Sequence, residues 1–248
     1  MMTLQEFFRE NPRVALGFSG GTDSSYLLYE AKRCGARVQP YYMKTAFQPE
    51  FEFEDACRLA RQLDIPLKVL ELDALSAPGV AENPANRCYF CKTALFGALQ
   101  KQALADGYTV LMDGTNASDD AGDRPGMKAL QEMSVRSPLR ECGLTKAQIR
   151  ENSRQAGLFT WNKPAYACLA TRIPTGERLT AEKLRRVEAA EDALFDLGFT
   201  DFRVRVFHDA ARIQLKPDQF PAAVEKRTAI TEALSSYCRP VLLDLEAR

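Results

Sequence analysis

The sequence predicts an α/β fold. A parallel sheet with helices on both faces is expected over residues 1–176, and a small α+β unit over 177–248. Three observations carry this. Short apolar runs alternate with helical stretches of about 12–15 residues, the pattern of a parallel sheet joined by crossover helices. The first apolar run closes on a glycine pair that opens a helix. The tail, from a boundary near 175–180, has an apolar pattern of its own.

The elements follow in order. The start, MMTLQEFFRENPR, reads as an amphipathic helix. VALGF (14–18) is a buried strand. Residues 23–34 have helical spacing, with Asp23 or Ser24 as cap or first-turn residue and Gly35 as the stop. RVQPYYM (37–43) is a second strand despite Pro40. A helix at 50–63 and a strand at 66–72 come next, then a helix at 91–105 and a strand at 108–113. Residues 116–127, 137–143 and 161–177 read as loops around a helix at 145–156 capped by Thr145. The tail reads helix 180–197, strands 202–207 and 211–216, helix 218–236 and strand 240–245. In such sheets ligands sit beyond the carboxyl ends of the strands. The turn after the first strand lies there, and so does DGTN (113–116).

Composition narrows the function. Of 248 residues, 46% are hydrophobic and 27% charged, as in a folded globular protein. Thirty-three basic residues balance thirty-three acidic ones, so no global field favours nucleic acid. No run approaches the ~20 apolar residues of a membrane helix. With no signal-peptide core either, a cytoplasmic location is expected. Seven cysteines, an odd count, argue against a disulfide framework. Cys34, Cys57, Cys142 and Cys238 stand singly and read as small apolar fillers. The only histidine, His208, reads as a surface residue, which disfavours a histidine-based zinc site or a serine triad.

Within FSGGTDSS, the glycines allow a tight turn, Ser19 and Ser24 add hydroxyl donors, and the helix start offers free N–H groups. An anion is the natural guest. Asp23 beside it fits a divalent cation or a helix cap. The order Ser19, Gly20, Gly21, Asp23, Ser24 resembles the PP-loop of the ATP pyrophosphatase superfamily, which implies ATP and Mg²⁺. An ordinary turn is the plain alternative.

NRCYFCK places Cys88 and Cys91 just before a helix, and ACLATR adds Cys168. A pair plus a single thiol suits two chemistries: three ligands to a [4Fe–4S] cluster with one open iron, or a sulfur-donating thiol with partners. Arg87, Lys92 and the helix start are expected to lower the thiol pKa values.

These pieces, with DGTNASDD, DRPGMKAL, SPL, GLTKAQIR, KPAYACLATRIP and RVRVFHDAARI, resemble in order the LarE family over about residues 14–215. That family consists of ATP-dependent sulfur transferases that build the nickel-pincer nucleotide cofactor of lactate racemase. The resemblance implies adenylation of a carboxylate of pyridinium-3,5-biscarboxylic acid mononucleotide, then conversion to a thiocarboxylate. Some members sacrifice one cysteine, which Cys168 matches. Others hold a [4Fe–4S] cluster on three, which Cys88, Cys91 and Cys168 match, with sulfide or another source supplying sulfur. The cluster version is favoured here. Arg203 and Arg205, on one strand face, match a basic pair for the substrate phosphate. Arg172 could touch the same anion. Gly114 lies at a strand end where a nucleotide or substrate is expected, Glu191 either resembles a family acidic residue near the metal or substrate or sits on a solvated helix face, and Arg124 either meets phosphate or makes a turn salt bridge. Trp161 either stacks on a ring or fills the core. The family also implies a homo-oligomer, perhaps a hexamer. Rival readings are a PP-loop tRNA thiolase, a GMP- or NAD-synthetase-like amidotransferase, and a binding module with a relict loop.

Overall fold

In the computed structural model, residues 2–119 and 125–246 are described. Helix α1 (Leu4–Glu10) starts at a capping box in which Thr3 and Glu6 satisfy each other's backbone N–H groups. Then come β1 (Arg13–Gly17), α2 (Thr22–Arg33), β2 (Arg37–Lys44), α3 (Glu50–Gln62), β3 (Lys68–Glu71), α4 (Arg87–Ala105) and β4 (Val110–Met112). The four strands form one parallel sheet in the order β3-β2-β1-β4, with Val14 opposite both Val38 and Val110. Pro40 lies opposite Leu16 and does not interrupt β2, since its fixed φ is compatible with extended backbone. Along β1, Val14 and Leu16 join a core with Phe7, Leu27 and Leu59, while Ala15 joins another with Tyr41, Phe96 and Leu99. That alternation buries both sheet faces, as expected of a parallel sheet.

Helices α5 (Pro125–Glu132), α6 (Pro138–Glu141) and α7 (Lys146–Gln155) follow. Thr145 caps α7 in a second capping box, with Gln148. The tail contains α8 (Ala181–Asp196), β5 (Arg203–Phe207), β6 (Ala210–Gln214), α9 (Phe220–Glu225), α10 (Arg227–Leu234) and β7 (Val241–Leu243). Its strands pair in the order β5-β6-β7, antiparallel then parallel, over a core of Leu194, Phe202, Ile213 and Leu234. A further apolar cluster, with Phe47, Leu95, Leu169 and Leu184, joins the tail to the first sheet. Among the described residues no helix is long and apolar enough to cross a membrane.

Several expectations need correction, among them the stretch 137–143, read as loop, which holds the short helix α6. Helix α4 begins at Arg87, so Cys88 and Cys91 lie within its first turns rather than before it. The stretch read as loop to 127 turns helical at Pro125, a residue suited to a helix start. The helix expected at 218–236 is two helices that meet at Lys226.

Candidate active site

The loop after β1 is shaped by contacts only glycine permits. Gly20 has φ +71°, and a Cβ there would lie 2.9 Å from the Ala56 Cβ. Gly21 is the N-cap of α2 and makes no side-chain cap bond. Ser19 and Ser24 hydroxyls meet at 3.0 Å, and the Gly21 N–H donates to Ser19 Oγ at 3.3 Å. After β4, Gly114 packs against the same helix start; a Cβ on it would come within 2.9 Å of the Ser24 nitrogen. Buried Asp113 accepts from the Ser137 hydroxyl at 2.7 Å and the Thr115 N–H at 3.2 Å, fixing that turn. Asn116 closes it with Ser118 and Asp119.

Two clefts flank this loop. The larger, about 560 Å³, lies between the loop, the ends of β2 and β4, and α4. Tyr42, Met43, Gln48, Gly114, Lys92 and Cys88 line it. The second, about 310 Å³, is lined by Thr22, Glu52, Lys146, Lys163, Tyr166 and Cys168. Ser19, Gly21, Asp23 and Gln48 belong to both. The loop therefore stands between Cys88 on one side and Cys168 on the other.

Asp23 is the charged centre of the partition. One carboxylate oxygen meets Lys146 Nζ at 2.5 Å. The other, Oδ1, is buried without a partner among the described residues. Burial raises its pKa, and the Lys146 contact opposes the rise. An orphaned anionic oxygen beside a phosphate seat fits a divalent cation. Lys163 is held at 3.0 Å from Glu52 and 2.7 Å from Asp55.

The three thiols gather around the joint. Cys91 and Cys168 pack against one apolar cluster, and Cys88 is exposed. Their charges would act on one another: Cys91 responds to both Cys168 and Cys88, and Cys168 to Cys88. For Cys91 the expected lowering of the thiol pKa is corrected here. Burial pushes Cys91 up to about 12 and Cys168 upward, outweighing the cations beside them. Among the described residues no group of three His, Cys, Asp or Glu side chains converges on a single ion. A four-iron cluster asks less of one point, because each thiolate binds its own iron, and three neighbouring thiols are the right donors in kind.

Three arginines, Arg172 and the β5 pair Arg203 and Arg205, gather beside Tyr166 and Glu191 and line neither cleft. Arg172 is fully buried and forks onto Glu191, with Nε–Oε1 at 2.8 Å and Nη2–Oε2 at 3.1 Å. Glu191 also accepts from the Tyr166 hydroxyl and from the Val204 N–H at 2.9 Å. Its two oxygens thus accept four donors, and it anchors Arg172. Arg172 is likewise committed, donating to the Ala167 carbonyl at 2.7 Å, and lines neither cleft. Arg203 donates to the carbonyls of Phe202 and Ala165, both at 2.6 Å, and lies over the Tyr166 ring. Arg205 donates to the Thr171 carbonyl at 2.7 Å and to Gln214. Burial, and then Arg172, lower Arg203 to about 10 and also lower Arg205.

Trp161 is 38% exposed, which excludes a core role, and His208 is exposed in the β5–β6 turn. Arg124 lies outside the described residues. Cys34 and Cys142 pack on the first core and Cys238 on the tail core, as fillers do. Lys146, Lys163, Gln48 and Tyr166 were not singled out from sequence. The one available signal was a lysine directly after the Thr145 cap.

No protein-family model matches the chain. An uncharacterized protein of Synechocystis is 40% identical over 225 residues, 90% of this chain and 83% of that one. The pyridinium-3,5-bisthiocarboxylic acid mononucleotide synthase of Lactiplantibacillus plantarum is 34% identical over 215 residues, 86% of this chain and 78% of its own length. A tRNA-specific 2-thiouridylase MnmA of Pseudothermotoga lettingae is 24% identical over 222 residues, 74% of this chain and 63% of that one. The identity shared with the synthase and the breadth of the match settle the kinship: this chain belongs to the LarE family of PP-loop sulfur transferases.

Proposed function

We propose that the chain activates a carboxylate of pyridinium-3,5-biscarboxylic acid mononucleotide with ATP and replaces a carboxylate oxygen by sulfur. One observation carries this reading: a single glycine loop at the start of α2 separates two clefts, each with a thiol in its wall. The substrate carboxylate attacks the α-phosphorus, the α–β phosphoanhydride bond breaks, and pyrophosphate leaves. Free N–H groups at the start of α2 and the positive end of its dipole stabilise that leaving group. Asp23, through its unpartnered oxygen, would hold Mg²⁺ on the phosphates. A sulfur nucleophile then attacks the acyl carbon and AMP departs, leaving a thiocarboxylate. Arg203 and Arg205 would receive the substrate phosphate by exchanging backbone carbonyls for phosphate oxygens.

Cys88, Cys91 and Cys168 would hold a [4Fe–4S] cluster, which supplies an iron open to external sulfur. The chain's own part is to gather the thiols and to pack Cys91 and Cys168 against an apolar cluster. Residues 1–176 form the ATP and sulfur unit in this reading, and 177–248 the unit for substrate and self-association into a hexamer. Exposed Val224, Leu242 and Leu245 give the tail an apolar face suited to that second task.

The decisive experiment is anaerobic purification with iron and sulfide analysis, followed by turnover with ATP and the biscarboxylate. Substrate-dependent pyrophosphate release and repeated thiocarboxylate formation support the reading. Iron-free protein that transfers one sulfur and loses that mass at Cys168 would replace the cluster with a sacrificial cysteine. Tight, salt-sensitive binding of bulk tRNA would favour the thiolase reading, which the balanced charge disfavours.

A further inference from the structure

Arg87 has no part in the chemistry above, yet its placement is costly. It opens α4 beside Cys88 and is only 8% exposed. A guanidinium stays charged, and a buried charge demands compensation. Buried Arg172 has Glu191. Among the described residues no carboxylate pairs with Arg87. Its Nη1 donates to Asn83 Oδ1 at 2.5 Å and to the Ala170 carbonyl at 3.2 Å, and its Nη2 lies 3.9 Å from Cys88 Sγ. Ala170 is in the 3₁₀ turn that Cys168 caps. One planar fork thus touches a thiol of α4 and the turn carrying the distant thiol. Asn83 in turn donates to the Pro174 carbonyl at 2.8 Å, clamping the far side of that turn. The cation also acts on Cys91 and Cys168, so all three sulfurs lie within its field.

We propose that Arg87 is the counter-cation and positioning residue of the sulfur centre: its buried charge balances the anionic sulfur assembly, and its fork fixes the Cys168 turn against α4. The inference rests on the cluster reading. Three thiolates outweigh the two positive charges of an oxidised four-iron core, and added hydrosulfide widens the excess. An apolar joint tolerates such an anion only with a cation beside it. The missing carboxylate is then explained, because the partner of Arg87 is the centre itself.

The test compares wild type with Arg87→Lys, Arg87→Gln and Asn83→Asp, each purified and reconstituted anaerobically with iron and sulfide. Iron retention against a chelator and the reduction potential of the centre are measured. Asn83→Asp keeps the guanidinium, neutralises it and gives up the donation to the Pro174 carbonyl, so the potential, and not the melting temperature, is its readout. Arg87→Gln and Asn83→Asp are expected to weaken iron binding on the order of 10- to 100-fold and to move the potential in the negative direction. Arg87→Lys keeps the charge and should hold the wild-type potential. A merely structural residue would change melting temperature and leave the potential in place. Unchanged iron retention and potential in Asn83→Asp would overturn the proposal while leaving the cluster reading intact. Wild type that takes up no iron would overturn both.

Discussion

Replacing Glu191 with alanine isolates the anchoring role from a metal-binding one. The carboxylate holds Arg172 through two hydrogen bonds and also accepts from Tyr166 and Val204, with Glu191 and Arg172 themselves buried. Its removal leaves a buried guanidinium unpaired, which costs about 3–5 kcal/mol. For a chain of this size each kcal/mol lowers the melting temperature by about 2–4 °C, so a fall of roughly 6–20 °C is expected. The double variant Arg172→Met, Glu191→Leu removes both charges and should recover most of the loss, since well-packed apolar replacements of buried pairs are close to neutral. Urea and thermal unfolding of the three proteins measure this directly. Half-saturating Mg²⁺ for pyrophosphate release, measured on whatever folded Glu191→Ala remains, should stay where it is in wild type. A stable Glu191→Ala protein with a shifted Mg²⁺ requirement would refute the anchoring account and return this carboxylate to the metal.

Gly20→Ala should abolish substrate-dependent pyrophosphate release, because its backbone is left-handed and its Cβ would press on Ala56. The left-handed conformation alone costs an alanine about 1–2 kcal/mol, and circular dichroism should show the rest of the fold intact. In iron-free protein at neutral pH, iodoacetamide should label exposed Cys88 before Cys91, as read by peptide mass spectrometry. Cys91 labelling should rise only as pH approaches 12. Because folding raises that pKa, the thiol's contribution to stability is complete below the unfolded value of about 8.5 and is lost as pH climbs toward the folded one. Thr145→Ala removes the capping box of α7 and should cost about 0.5–2 kcal/mol in urea unfolding. It should also raise the KM for ATP, since α7 begins with the lysine that meets Asp23.

What the sequence revealed was local. The run from Val14 to Ser25 holds a strand, a turn and a helix start within a dozen positions, so its form and its guest can be read together. Arg203 and Arg205 were legible as a basic pair on one strand for the same reason. Their surroundings were not, because Arg172, Tyr166 and Glu191 arrive from separate segments and burial reverses expectations drawn from neighbours alone. Cys91 shows this most sharply: adjacent cations argued for an acidic thiol, and the packing around it prevails. Lys146 and Lys163 reach their carboxylates across 123 and 111 positions of chain, which no spacing rule foresees. Helix α5 was missed because its first residue, Pro125, reads as a breaker when the preceding turn is unknown.

The strip of backbone shared by both hollows has a thermodynamic corollary. A guest on either side reorganises the same few atoms, Ser19, Gly21 and Asp23, that greet a guest on the other. Whatever help nucleotide occupancy gives to the acid must be returned in equal measure by the acid to the nucleotide. In the proposed reaction, any coupling between nucleotide and acid would then run through a wall a few residues thick, with no hinge or distant relay required.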